Sequence, residues 1–107
     1  MNPLDNLYET FFILKPDLTE ETTLNIIKKY QQMLITNGCR DILIYDRGRR
    51  HLSYPIQKYQ DGIYIECSYV ANKQIVSNLE KFFRIDDTVI RYLTIKTNSS
   101  FLVLEKQ

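Results

Sequence analysis

Four short apolar segments with strand spacing enclose two segments with helical spacing, and this order limits the fold more than any other feature of the chain. Leu7 to Leu14 (LYETFFIL) is rich in aromatic and aliphatic residues and is stopped by Lys15-Pro16, which reads as a first strand. Asp17, with Glu20 three residues on, has the spacing of a capping box. Leu24, Ile27, Tyr30 and Leu34 recur at helical intervals, so a helix is expected from about Thr19 to Ile35, with Asn37-Gly38 as its left-handed stop. Ile42 to Asp46 reads as a second strand that can run on through Leu52. Tyr54 to Gly62, with Pro55 and Asp61-Gly62, reads as a long turn into a third strand, Ile63 to Tyr69. Asn72 is placed to cap a second helix carrying Ile75, Leu79, Phe82 and Phe83 on one side. Ile85-Asp86-Asp87 then turns the chain into a fourth strand, Val89 to Lys96.

The order β-α-β-β-α-β is that of a split βαβ sandwich. The expected fold class is therefore α+β and ferredoxin-like, a four-stranded antiparallel sheet with two helices on one face and the other face open. A chain of 107 residues fits one such domain, expected over residues 1–97. Asn98-Ser99-Ser100 is a polar spacer before the short apolar run Phe101 to Leu104, so 98–107 reads as a tail. The longest apolar runs, Phe11–Leu14 and Phe101–Leu104, fall far short of the roughly 20 residues a membrane helix requires. No membrane contact and no secretory leader are expected.

Strand alternation assigns the open face. Ile63, Ile65 and Cys67 form the apolar set of the third strand and should face the helices, which turns Tyr64, Glu66 and Ser68 outward. A lone buried guanidinium is costly, so Arg91 is placed outward, and Leu93 and Ile95 go with it. With Glu9 outward, Phe11 and Ile13 join them. Phe11, Ile13, Tyr64, Leu93 and Ile95 then form an apolar surface large enough to mark a protein-docking face.

Arg47, Arg49, Arg50 and Lys58 fall in a stretch without an acid, interleaved with His51, Tyr54 and Tyr59. Guanidinium groups match phosphate geometry with paired donors, and aromatic rings stack on unpaired bases. The same run also suits a solvated edge strand protected by charge. The net charge of +1 excludes a wholesale polycation, so any nucleic-acid site must be local.

Catalytic chemistry has no foothold in the sequence. His51 is the only histidine, and no nucleophile elbow, phosphate loop, HExxH or paired CxxC is present. Cys39 and Cys67 are too few for a disulfide scaffold and lack metal-ligand spacing. Cys67 is expected inside the sheet as a small apolar group, and Cys39, beside Gly38 and Arg40, on the surface. Phe12 to Asp17 (FILKPD) resembles the opening strand of nucleoside diphosphate kinases, but those enzymes need a late active-site histidine, and nothing after His51 can serve. No enzyme, metal, cofactor or small-molecule substrate is expected.

A second resemblance runs from Tyr8 to Lys96. Tyr8-Glu9-Thr10 and Lys15-Pro16-Asp17-Leu18 are its first part, Arg47 to Ile56 (RGRRHLSYPI) with Lys58 and Asp61 to Tyr64 its most specific part, and Val89 to Lys96 (VIRYLTIK) its close. Together these resemble the family of small ribosomal subunit protein six, bacterial type, especially its cyanobacterial and plastid branch. The resemblance implies a structural role: binding central-domain small-subunit ribosomal RNA together with ribosomal protein eighteen. By position it implies that Arg47, Arg49, Arg50, Lys58 and Arg91 contact RNA or the partner, and that the open face and the tail meet the partner protein. The chain departs from the family pattern at Arg47, His51 and Ser53, which bears on individual contacts and not on the fold. Frequent Ile, Asn and Lys with Ala71 as the only alanine fit an AT-rich genome, so a plastid ribosome is expected, with a bacterial cytoplasm as the alternative. Two other functions share this element order. One is a free-standing RNA-recognition-motif-like binder stacking bases on Phe11 and Tyr64. The other is a regulatory ferredoxin-like domain that dimerises through its open sheet.

Overall fold

Alternating burial along the first strand organises the whole molecule. The computed structural model describes residues 5–97, and β1 (Asn6–Leu14) buries Tyr8, Thr10, Phe12 and Leu14 on one side. Next come α1 (Glu20–Thr36), β2 (Arg40–Ile56), β3 (Tyr59–Ala71), α2 (Lys73–Ile85) and β4 (Val89–Thr97). The strands form one antiparallel sheet in the order β2-β3-β1-β4. Both helices bury their apolar sides, Ile26, Tyr30 and Leu34 from α1 and Leu79 and Phe83 from α2, in the one core they share with Ile63, Ile65, Cys67 and Tyr69 of β3. The expected ferredoxin-like architecture is therefore present. The tail at 98–107 lies outside the described residues.

Helix α1 starts later than the capping-box reading predicts. Pro16-Asp17 form a turn, Leu18 packs against the core, and Thr19 caps the helix by accepting from the Thr22 amide at 3.1 Å. The chain must first deliver Leu18 to the core, so the cap moves to the next hydroxyl. Glu20 and Glu21 then stand in the first turn, where the helix dipole favours them. The buried stripe is Thr23, Ile26, Tyr30 and Leu34; Leu24 is 50% exposed and Ile27 packs only at the core margin. Thr23 can turn inward because its hydroxyl donates to the Thr19 carbonyl at 2.9 Å. At the other end Cys39 N donates to Leu34 O and Gly38 N to Ile35 O, both at 3.0 Å, a Schellman closure. It needs the left-handed φ of +83° that Gly38 adopts.

Helix α2 is capped by Asn72, which accepts from Ile75 N at 3.1 Å, as expected. Its buried side is Leu79 and Phe83 with Ile75 and Val76 at the margin, whereas Phe82 is 47% exposed. Positions 75, 79 and 83 follow the four-residue step of one helix face, and 82 falls off it. Phe83 packs at ring-centroid distances of 4.9 Å from Phe12, 4.8 Å from Tyr30 and 5.3 Å from Tyr92.

One carboxylate ties the helices and β4 together. Asp86 accepts from Tyr30 Oη at 2.6 Å, Lys29 Nζ at 3.0 Å, and the amide and hydroxyl of Thr88 at 2.9 and 2.6 Å. Burial works to raise its pKa, but these hydrogen bonds outweigh burial and hold the carboxyl down at about 2. A folded value below the ordinary 3.8 means that the contribution is complete above that pH and is lost as pH falls through about 2. Asp86→Asn is therefore expected to cost about 2 kcal/mol at pH 7, the scale of hydrogen bonds to a charged group, and much less at pH 2. Urea melts of both proteins at the two pH values measure the difference; an equal cost at both would detach it from the carboxylate's charge.

The β2–β3 hairpin departs most from the sequence reading. Its turn is at Gln57-Lys58, with φ of +49° and +73°, the left-handed pair of a tight hairpin. The strands continue where a long turn from Tyr54 to Gly62 was expected, and Ile56 pairs with Tyr59. Three irregularities shape β2, the first between Arg40↔Val70 and Leu43↔Ser68. The pairing steps from Asp46↔Ile65 to Gly48↔Tyr64, leaving Arg47 as an extra residue, and Leu52–Pro55 stand against the single Gln60 between His51↔Asp61 and Ile56↔Tyr59. Extra residues on one strand bend it toward its partner's face.

Candidate nucleic-acid and protein interface

The face away from the helices carries the predicted apolar set, brought together by register. Phe11 stands between Glu66 and Leu93, Ile13 between Tyr64 and Arg91, and Glu9 between Ser68 and Ile95. Leu93 is 57% and Ile95 46% exposed. Gly62 has a packing role here: a Cβ on it would stand 2.3 Å from Ile13 Cγ2. Its bare backbone lets Ile13 lie across β3.

The bent hairpin adds Leu52, which the sequence placed at the end of the second strand, and Tyr54 and Ile56, which it left in a turn. Leu52, Tyr54 and Ile56 join Phe11, Ile13, Tyr64, Arg91 and Leu93 around a hollow of about 380 Å³. Arg91 donates to Tyr54 Oη with its guanidinium over the ring, 5.7 Å from the centroid. Since β1 separates β3 from β4, this contact shows that the hairpin reaches across the open face. Leu52 is thereby almost fully buried. The signal was present in the sequence as the alternation Leu52-x-Tyr54-x-Ile56, masked by Pro55 and Asp61-Gly62.

The basic residues separate into different surroundings. Arg47, at the bulge, pairs with Glu66 at 2.8 Å and lies over Tyr45 at 4.7 Å. Arg50 donates to Arg47 O, and both line a second hollow of about 220 Å³ with Phe11 and Tyr64. The two hollows share Phe11 and Tyr64, so one groove has an apolar middle with Arg47 and Arg50 toward one end and Arg91 toward the other. Arg49 points to the opposite side: it pairs with Ile63, lines a hollow against Leu24 and Ile27 of α1, and donates to Pro16 O. Lys58 occupies the second position of the hairpin turn.

The remaining reactive groups are built into the framework. Burial pushes the Cys67 thiol up to about 12, with Thr10 hydrogen bonds opposing. Cys39, expected on the surface, is buried under the Schellman turn, where burial and Asp5 push it up to about 11. Neither is a thiolate at neutral pH. His51 Nδ1 lies 3.1 Å from Asp61 across the hairpin, with both side chains exposed. Among the described residues no cluster of His, Cys, Asp and Glu can hold a metal ion, and no helix is long and apolar enough to cross a membrane.

Known proteins with this sequence pattern are ribosomal. A family model described as ribosomal protein S6 matches residues 7–96. Small ribosomal subunit protein bS6c of Pyropia yezoensis is 53% identical over 91 residues, covering 85% of this chain and 84% of that one. Small ribosomal subunit protein bS6 of a Picosynechococcus species is 42% identical over 102 residues, covering 95% and 89%. The crystal structure of 30S ribosomal protein S6 from Thermotoga maritima superposes with a TM-score of 0.82 at 25% identity, covering 95% and 94%. The match runs from β1 to β4, and the chain is a member of the ribosomal protein S6 family, a structural and non-enzymatic component of the small ribosomal subunit.

Proposed function

We propose that this protein binds central-domain small-subunit ribosomal RNA and docks ribosomal protein eighteen of the same subunit on its open sheet face. The observation that carries this reading is the groove itself: an apolar middle, including the exposed Leu93, with guanidinium groups toward both ends. Apolar side chains at the middle of a patch supply protein–protein affinity, and arginines at its margin supply phosphate contacts. Arg47 is available for this because its pair with Glu66 is solvent-exposed; such pairs contribute little and exchange readily. Arg91 and Lys58 extend the same basic margin, whereas Arg49 secures the turn before α1. The bent hairpin lies beside Phe11 and Tyr64, which favours protein docking over bases stacking flat on those rings. The 53% and 48% identities to the bS6c proteins of Pyropia yezoensis and Porphyra purpurea, against 45% for bS6 of a Cyanothece species, support a plastid ribosome as the site of assembly, with a bacterial cytoplasm as the alternative because other bS6c relatives stand at 39–44%. Residues 1–97 would serve as the folded unit, with 98–107 as an additional partner contact.

The test is a gel shift with a central-domain ribosomal RNA fragment, with and without ribosomal protein eighteen, at several salt concentrations. A partner-dependent, salt-sensitive shift is expected. Arg47→Ala with Arg50→Ala should weaken it by about 1.5–3 kcal/mol per lost contact and lower the log–log salt slope by about 0.7–0.9 for each phosphate released. Arg49→Ala, on the other side of the sheet, should change it least. A double variant that binds like the parent would remove these two arginines from the RNA site.

A further inference from the structure

We propose that Arg84 and Arg91 form a clamp for one RNA backbone phosphate across the free edge of β4, an inference that rests on the RNA-binding reading above. Among the described residues strand β4 ends the sheet, with β1 on its only paired side. Arg84 comes from the last turn of α2 on the helix side and donates to Tyr92 Oη at 3.2 Å. Arg91 stands on the open side and donates to Tyr54 Oη. Between them Gln57, from the hairpin turn, donates to Ile90 O at 3.4 Å. Gln57, Phe83, Arg84, Ile90, Arg91 and Tyr92 border a hollow of about 300 Å³ at this edge. Two guanidinium groups from opposite faces of the sheet thus border the same space.

Charge gives the hollow its ligand class. Among the described residues no carboxylate lines it, and neither Arg84 nor Arg91 belongs to an ion pair. The nearest acid with a defined role, Asp86, is engaged by Lys29, Tyr30 and Thr88, and Asp87 is outside the lining. A tyrosine hydroxyl takes one of the five N–H donors of a guanidinium and none of its charge. Each arginine is therefore oriented but not neutralised, with donors left for a tetrahedral oxyanion. The C-terminus of α2 helps to hold Arg84, but it gives no reason for a second arginine on the far side of the strand. An RNA phosphate is favoured over a free anion by continuity, because Arg91 also lines the apolar groove. With the middle of that groove left to the protein partner, a backbone that reaches Arg91 at its end can continue around the edge to Arg84.

The experiment uses the full chain with ribosomal protein eighteen and the central-domain RNA fragment, titrated across a salt series. Arg84→Gln is expected to weaken RNA binding roughly tenfold and to lower the log–log salt slope by about 0.7–0.9, the signature of one phosphate lost. Arg84→Lys should keep the slope while recovering part of the affinity, and unchanged thermal midpoints verify folding. The loss from Arg84→Gln with Arg91→Gln should be smaller than the two single losses combined, because one phosphate is shared. Parent-like affinity and slope for Arg84→Gln, alongside a loss for Arg47→Ala with Arg50→Ala, would overturn the clamp and leave the RNA reading standing. Absence of any RNA shift by the parent protein would overturn both. Weaker binding of Arg84→Gln to ribosomal protein eighteen without RNA would reassign the surface to a protein and also overturn the clamp.

Discussion

Leu93→Asp is expected to abolish docking of ribosomal protein eighteen while leaving the free protein folded. Leu93 projects from the open face beside Phe11 and is 57% exposed, so the free protein meets the new carboxylate mostly in water. Surface substitutions of this kind stay within about 0.5 kcal/mol, with up to about 1 more for the poor strand preference of Asp. In the complex the same carboxylate is desolvated at the middle of the interface, and the arginine that lines that groove, Arg91, is already held against Tyr54. Losing an apolar anchor there costs about 2–4 kcal/mol, and burying an unpaired charge adds to it. Calorimetric titration should therefore show a loss of at least about thirtyfold, with a thermal midpoint lowered by no more than about 10 °C. Affinity within threefold of the parent would mean that the partner binds elsewhere. The exposed Leu24, on α1 at the other side of the sheet, provides a comparison: Leu24→Asp should leave docking close to that of the parent.

The largest stability effect is expected at Phe83. Its ring is almost fully buried and contacts Phe12 of β1, Tyr30 of α1 and Tyr92 of β4, so a single side chain from α2 joins three other elements. Phe→Ala in such a core costs about 3–5 kcal/mol through lost transfer energy and the cavity left behind. A domain of this size has about 5–15 kcal/mol in total, so Phe83→Ala should remove from roughly a fifth to nearly all of the stability. The neighbouring Phe82, 47% exposed, should cost under about 1 kcal/mol as Phe82→Ala. Guanidinium melts of the two variants side by side make the comparison. Equal losses would mean that α2 presents a different face to the sheet.

That pair of adjacent phenylalanines also shows how far local spacing reaches. A helix period of 3.6 separates an inner from an outer side only to within about one residue, and Phe82 and Phe83 differ by one. The same tolerance placed Leu24 inside α1, whereas the structure buries Thr23 and Ile26. Strands behave differently, because their period of two has no intermediate positions. Once Arg91 and Glu9 were set outward, every other side chain of β1 and β4 was assigned, and Phe11, Ile13, Leu93 and Ile95 lie where that alternation puts them. Tyr64 follows from the apolar set Ile63, Ile65 and Cys67 by the same rule.

The rule fails where a residue is inserted. Before the bulge the odd-numbered Tyr45 stands opposite Glu66 on the open face, but after Arg47 it is the even-numbered Gly48 and Arg50 that oppose Tyr64 and Gly62. One extra residue therefore sends Arg49 to the helix side and brings Leu52, Tyr54 and Ile56 over the groove. Nothing in the composition of Arg47 to Ile56 signals that inversion, because a bulge is fixed by the partner strand and not by its own spacing. The sequence by itself determined the element order, the α+β class, the stop of α1 at Gly38 and the start of α2 at Asn72, and the exposed side of three strands, all properties of short-range period and capping. Only the tertiary structure decided which arginines share a surface, how the hairpin closes over the sheet and that Arg84 meets Arg91 around β4, because each depends on side chains brought together from elements far apart in the chain.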